Sequence, residues 1–158
     1  MYRKILVAID NSETSMRGLD EGIKLAKSEG AQLCVLHVIE PMAAALYPEA
    51  AAYAEDLFEA LRDSGREVIA KAQARARRRG VEAKATLIDN RGYPVAELIV
   101  SYATKWRADV IVLGTHGRRG FRHLLLGSDA ESVVRAAPMP VLLVRSPDGK
   151  PVAKRARR

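Results

Sequence analysis

Glycines punctuate one stretch of the chain at a spacing suited to holding an anion. They stand at Gly114, Gly117, Gly120 and Gly127, and Ser128 follows directly. An apolar run, Val110-Ile111-Val112-Leu113, precedes them, and SDAESVVRAA follows. The run reads as a strand buried on both faces, and the later segment as a helix. A strand, a glycine turn and a helix start together form a phosphate cradle. Glycine lets main-chain N–H groups turn inward, and the helix adds unpaired N–H groups at its first turn. Arg118 and Arg119 lie within the loop and would add positive charge, unless they form only a solvated tip. No Gly-Lys-Ser/Thr closes the loop, so it is not a Walker A motif. A dinucleotide motif would follow the first strand, which here ends in Asp10-Asn11-Ser12.

Other reactive side chains form weaker patterns. Cys34, His37, His116 and His123 have no metal-ligand spacing, which argues against zinc. Ser128, His123 and Asp129 supply the residue types of a hydrolase triad without a G-x-S-x-G nucleophile elbow. Asp10 sits where it would either meet a ligand or cap the next helix. Trp106 and Tyr102 read as core residues, and Tyr47 and Tyr53 as packing residues.

The elements that must position these groups follow from periodicity. Strands are expected at 3–10, 32–39, 81–88, 110–113 and 141–145. A helix follows Asn11, Ser12 and Thr14 to about Ser28, with Gly30 as its stop. Met16, Leu19, Ile23 and Ala26 share its inner face. After Pro48 a long helix runs to Gly80, with Leu57, Leu61, Val68, Ala72 and Ala76 on one face and Gly65 as a weak point. Its last turn carries Arg75, Arg77, Arg78 and Arg79, cations suited to the helix dipole. The alternation of Val81, Ala83, Ala85 and Leu87 suggests an edge strand. A third helix begins near Pro94 and presents Val95, Leu98, Ile99, Tyr102, Ala103 and Trp106. The order βαβαβαβαβ predicts an α/β fold, a five-stranded parallel doubly wound sheet flanked by helices. Ligands bind such sheets at the C-terminal ends of strands where the order reverses. Strands one and four are expected to be neighbours there, with Asp10 facing Gly114.

Composition bounds the rest. A chain of 158 residues suits a single core. Residues 1–145 are read as that domain and 146–158 as a disordered basic tail. The net charge is +7, but six basic residues and one acid fall at 145–158, leaving +2 for residues 1–144. The opening apolar run is too short for a signal peptide, and no run is long enough to cross a membrane. A single cysteine, Cys34, fits a reducing compartment, so the cytoplasm is expected.

Gly114, two residues, Gly117, nine residues, then Gly127-Ser128 resembles the G-x2-G-x9-G-(S/T) signature of the universal stress protein family, in its ATP-binding branch. KILVAIDNSE, VLHVIEP, ADVIVLGTHGRRG, LLLGSDAESVV and PMPVLLVR resemble the family in order and spacing. The resemblance implies an adenine nucleotide alpha hydrolase-like, Rossmann-like sandwich, a homodimer, and a site for ATP (or ADP or AMP) with Mg²⁺. Ala8 and Asp10 would lie against the nucleoside, and Asp10 would hold ribose hydroxyls or the magnesium ion. Val38 would meet adenine through its backbone. Gly114, Thr115, His116, Gly117, Arg118, Arg119 and Gly120 would wrap sugar and phosphates. Gly127, Ser128, Asp129 and Ala130 would offer amides, with the Ser128 hydroxyl, to the phosphate chain. Two positions depart from the family pattern. Many binders have proline or a bulkier residue where Ala8 stands, and Asp129 would repel phosphate unless a cation intervenes.

Three functions follow as expectations. The first is an ATP-binding stress regulator with no catalytic residue, and at most weak hydrolysis or autophosphorylation. The second, an adenylating enzyme, is disfavoured by the lack of SGG-x-DS and HIGH-like motifs. The third is an interaction module binding nucleic acid or an acidic partner through the tail and the Arg75–Arg79 cluster. Dimerisation is expected through Val141–Val144, since a bare edge strand leaves backbone groups unpaired.

Overall fold

The structure is a computed structural model that describes residues 1–40, 54–90, 92–115 and 127–145. Five strands, β1 (Lys4–Ile9), β2 (Gln32–Ile39), β3 (Ala83–Asp89), β4 (Val110–Gly114) and β5 (Val141–Val144), form one parallel sheet. The order across it is β3-β2-β1-β4-β5. Four helices connect them: α1 (Glu13–Glu29), α2 (Ala54–Arg78), α3 (Val95–Trp106) and α4 (Ser128–Ala136). The expected architecture is present, with β3 and β5 at the edges and β1 beside β4.

Two cores lie on opposite faces of the sheet. Alternation along each strand sends Ile5, Val7, Leu33, Val35, Val110 and Val112 toward α1 and α2. The other face sends Leu6, Cys34, Leu36, Ile111 and Leu113 toward α3 and α4. The central strands read as continuous apolar runs because both their faces are covered.

Local sequence explains the element ends. Ser12 is the α1 N-cap, its Oγ accepting from Ser15 N at 3.2 Å. Asp10 is therefore not the cap. Its Oδ1 accepts from Ser12 N at 2.9 Å and shapes the turn before the helix. Gly30 (φ +64°) and Gly80 (φ +78°) take the left-handed positions after α1 and α2. The third strand begins two residues later than expected and ends at Asp89. Val81 is buried as a hydrophobic plug ahead of it. The reading of Gly65 as a mere weak point needs correction. A Cβ there would sit 2.8 Å from Leu87 Cδ1 and 3.3 Å from His37 Cδ2, so glycine lets α2 approach β2 and β3.

The closest approach is that of α1. A Cβ on Gly22 would meet Val7 Cγ2 at 2.4 Å, and one on Gly18 would meet Gly114 N at 3.3 Å. From the strand side, a Cβ on Gly114 would strike the backbone of Thr14 and Ser15 at 2.7–2.8 Å. The helix thus meets β4 main chain to main chain and meets β1 through the Val7 side chain. Glycine at 114 is required by packing, a reason different from the phosphate approach expected of it. Gly114→Ala should lower the free energy of unfolding by about 1–3 kcal/mol, read as a lower urea midpoint at unchanged slope. An unchanged midpoint would contradict this packing.

The arginines closing α2 divide into two groups. Arg75 Nε and Nη2 donate to the Asp20 carboxylate at 2.5 and 2.7 Å, and Arg79 Nη1 lies 2.8 Å from Asp20 Oδ1. The pair ties α2 to α1. Arg77 and Arg78 face solvent. The Arg75 hydrogen bond, helped by the charges of Arg75 and Arg79, holds the Asp20 carboxyl below its ordinary value. A depressed carboxylate stabilises the fold above its unfolded-state value near 4, and that contribution fades as pH falls through the folded-state value. Asp20→Asn should therefore destabilise at pH 7, and its gap from the parent should narrow below about pH 4 in urea titrations. A gap constant from pH 7 to 2 would refute the assignment.

Candidate functional site

The sheet order reverses between β1 and β4. From β1 the chain crosses one way to β2, and later returns to lay β4 on the other side. The C-terminal ends of these two strands flank the switch point, where an α/β sheet opens a crevice. Their register pairs Val7 with Val112, so Asp10 follows β1 at the edge where Gly114 ends β4.

The loop after β1 is fixed by its own polar atoms. Asn11 adopts φ +66°, a left-handed conformation that asparagine tolerates. Ser15 Oγ donates to Ser12 O at 3.0 Å and receives Asp10 N at 3.3 Å. Ser12 Oγ lies 3.2 Å from Thr14 Oγ1. Asp10 is half-buried in this network.

Thr115 holds the other side. It is buried, its N–H donates to Val144 O at 2.9 Å, and its carbonyl accepts from Gly127 N at 2.8 Å. That second bond joins the chain leaving β4 to the chain entering α4. The segment 116–126 runs between these two points. His116, Gly117, Arg118, Arg119 and Gly120, together with His123, lie outside the described residues. So do Tyr47 and Tyr53.

Helix α4 starts without a side-chain cap. Its N-cap is Gly127 (φ −59°, ψ 146°), which has no side chain to accept a hydrogen bond. The N–H groups of Ser128, Asp129 and Ala130 belong to the first turn, where no intrahelical acceptor exists. The helix dipole places partial positive charge there. Ser128 and Asp129 are exposed, whereas the Ala130 methyl is buried in the core, so only the backbone of Ala130 can meet a ligand. By contrast α1, whose N-terminus lies at the same sheet edge, is closed by Ser12.

An apolar patch adjoins these polar groups. Ala8, Val38 and Ile88 come from three adjacent strands and pack, half-buried, on the α3/α4 face. Asp10 directly follows the last residue of β1. Of the residues expected at the site, Ala8, Asp10, Val38, Gly114, Thr115, Gly127, Ser128, Asp129 and Ala130 thus all stand at the C-terminal edge. Main-chain amides, one carboxylate and an apolar floor could together receive a nucleoside and its phosphates.

Several supporting groups were not anticipated. Asn90 is buried at the end of β3. Its Oδ1 accepts from Gly92 N and Tyr93 N at 2.9 and 2.8 Å, and its Nδ2 donates to Tyr93 O at 2.8 Å. The Asn-x-Gly spacing was the available signal. Asp89 Oδ2 accepts from Arg62 Nε and Nη2 at 3.0 and 2.8 Å, and Glu59 also contacts Arg62. These bonds raise the Arg62 pKa further and pin α2 to the edge. Gly18 and Gly22 stand in the sequence as a Gly-x3-Gly step, the available signal for the close approach of α1.

The remaining reactive groups serve packing. His37 is buried, with Nδ1 2.7 Å from Ile9 O. Cys34 is fully buried, its Sγ 3.6 Å from Tyr102 Oη, which lies 2.7 Å from Thr86 Oγ1. Burial pushes the thiol pKa up, so Cys34 is a poor nucleophile. Among the described residues no three His, Cys, Asp or Glu side chains group as a metal site requires.

Comparison with known proteins places the chain. The family model described as the universal stress protein family matches residues 1–145. A universal stress protein of Methanocaldococcus jannaschii is 33% identical over 147 residues, covering 93% of this chain and 84% of that protein. A solved structure of a universal stress protein family member from Burkholderia pseudomallei is 34% identical, with a TM-score of 0.73, covering 92% of this chain and 97% of that one. The universal stress protein of Archaeoglobus fulgidus, solved in complex with dAMP, is 27% identical with a TM-score of 0.64 over 90% of this chain and 98% of that one. The family model and these likenesses together show that the chain belongs to the universal stress protein family.

Proposed function

We propose that this chain binds an adenine nucleotide at the β1–β4 switch point and acts as a regulator in a stress response. The ligand is ATP, or ADP or AMP, with Mg²⁺. The observation that carries the reading is the uncapped start of α4, tied to the end of β4 by the Thr115–Gly127 hydrogen bond. The relative solved with dAMP supports the same ligand class.

Each group has a role in this reading. The Gly127, Ser128, Asp129 and Ala130 amides and the Ser128 hydroxyl take phosphate oxygens. Gly114, Thr115, His116, Gly117, Arg118, Arg119 and Gly120 enclose the sugar and phosphates, completing the G-x2-G-x9-G-S loop. Asp10 takes the ribose hydroxyls or the magnesium ion, which favours carboxylate and phosphate oxygens. Mg²⁺ also offsets the charge of Asp129. Ala8 and the Val38 backbone meet the nucleoside. No residue is assigned to activate water, so hydrolysis or autophosphorylation is at most slow and occupancy carries the signal. The cytoplasm is the proposed location, and no helix among the described residues is long and apolar enough to cross a membrane.

The proposal includes a homodimer formed through β5. Among the described residues no strand pairs with the outer edge of β5, and Leu142 on it is 40% exposed. Leu142→Lys should convert a dimer to a monomer in sedimentation at micromolar concentration. A parent that sediments as a monomer would refute the pairing.

Nucleotide extracted from purified protein should prove to be an adenine nucleotide by mass spectrometry. Calorimetry should give micromolar-class affinity for ATP, with Gly117→Ala and Gly127→Ala each weakening it roughly tenfold, about 1.4 kcal/mol, by blocking backbone approach. Affinity unchanged in both variants would reject the loop as the site.

A further inference from the structure

The opposite end of the sheet carries a second, independent feature. In a parallel sheet every strand starts at one edge, so α1, α2, α3 and α4 all finish there, with Arg135 of α4 paired to Glu131. Six other exposed cations collect on this rim: Arg3, Lys27, Arg77, Arg78, Lys105 and Arg107. Three acids, Glu29, Glu82 and Asp109, share it.

Two of those acids are engaged by main chain. Asp109 Oδ2 accepts from Arg3 N and Lys4 N at 2.7 and 2.8 Å, and those bonds hold its carboxyl below the ordinary range. Glu29 Oε2 accepts from Tyr2 N at 3.0 Å. Among the described residues, Arg3, Arg77, Arg78, Lys105 and Arg107 form no ion pair. Arg79, their neighbour, is spent on Asp20.

Helix dipoles account for a cation in each last turn. They do not account for Arg107. That residue occupies the left-handed position after α3 (φ +58°), where α1 and α2 use Gly30 and Gly80. A side chain there is strained, and strain that persists on a surface points to use. Residues 1–144 carry only +2 in total, so cations gathered at this rim leave the remainder of the body net acidic.

We infer that this rim is a docking face for the phosphate backbone of double-stranded nucleic acid. Met1 and, in the last turn of α4, Val134 are the large hydrophobic residues exposed at this end among the described residues, and neither is an aromatic anchor of the kind that dominates protein interfaces. It also lacks a stacking platform for single strands. Trp106 is half-buried, with Lys4 Nζ 5.4 Å from its ring centroid. Point charges on long side chains read phosphate spacing without reading sequence. The face works independently of the nucleotide crevice and of the C-terminal tail.

The test is anisotropy titration of a labelled 24-base-pair duplex with the full chain, across 50–200 mM salt. Six phosphate contacts predict a log–log salt slope of about −5. Arg77→Gln with Arg78→Gln, and separately Lys105→Gln with Arg107→Gln, should each reduce the slope by about two and weaken binding at least tenfold for any sequence. These residues are exposed, and circular dichroism checks that each variant folds. A third variant neutralises the tail through Lys154→Gln, Arg155→Gln, Arg157→Gln and Arg158→Gln, and should keep the sensitivity to the rim substitutions. Slopes unchanged in both rim variants would overturn the inference. So would loss of all binding on tail neutralisation, tighter binding to single-stranded RNA of equal charge, or binding to polyglutamate in preference to duplex.

Discussion

The fold depends on one contact between main chains. Helix α1 packs on β1 and β4 through Leu19, Ile23 and Ala26, and Gly18, Gly22 and Gly114 let it come close enough for main-chain contact at Gly114. Any Cβ at 22 or 114 would enter the volume of Val7 or of the Thr14–Ser15 backbone. Close-packed interiors transmit such a displacement, since few voids exist to absorb it. The consequence reaches the crevice. A helix held this near the sheet brings its first turn to the tip of β4, and the Asp10–Ser12 turn must then be tight. The polar bonds of Asp10, Ser12 and Ser15 are the local means of closing that turn.

The two ends of the sheet differ in the electrostatics their helices supply. Parallel strands with crossover helices align every helix in the same sense. Helix starts face the C-terminal edge, and helix ends face the N-terminal edge. At the first edge Ser12 closes α1, while α4 opens from a glycine with no side chain to offer. Among the described helices α3 also starts without a side-chain cap, at Pro94, but α4 is the one tied to the chain leaving β4, through the Thr115–Gly127 bond. At the second edge the helix ends have acquired lysine and arginine beyond what the dipoles ask for. One topology therefore sets helix starts at one edge and helix ends with exposed lysine and arginine at the other.

Much of this was legible in the sequence for physical reasons. Continuous apolar runs such as Val110–Leu113 and Leu33–Leu36 can only be buried on both faces, and the alternating run at Ala83–Leu87 fits the edge it occupies. Glycine and proline at Gly30, Gly80 and Pro94 marked the element ends because few other residues adopt those conformations. The βα order then set β1 beside β4. Roles that depend on distance between remote residues were hidden. Nothing local says that Gly114 meets Thr14, that Gly65 makes room for His37, or that Arg75 and Arg79 turn inward to Asp20 while Arg77 and Arg78 do not. Of the two roles open to Asp10, the cap falls to Ser12, whose Oγ accepts from Ser15 N, a choice between neighbouring capping residues that their types alone do not make. The parts of the glycine loop from His116 to Gly120 rest on resemblance and on motif spacing.

The account stands on main-chain amides at the start of α4 gripping a nucleotide's phosphates beside the β1 carboxylate. A crystal structure of the full chain grown with ATP and Mg²⁺ tests it most directly. The account predicts phosphate oxygens within hydrogen-bond distance of the Ser128, Asp129 and Ala130 amides, with Asp10 on the ribose or the metal ion. A nucleotide seated elsewhere on the sheet, or its phosphates held by side chains with those amides turned to water, would contradict it.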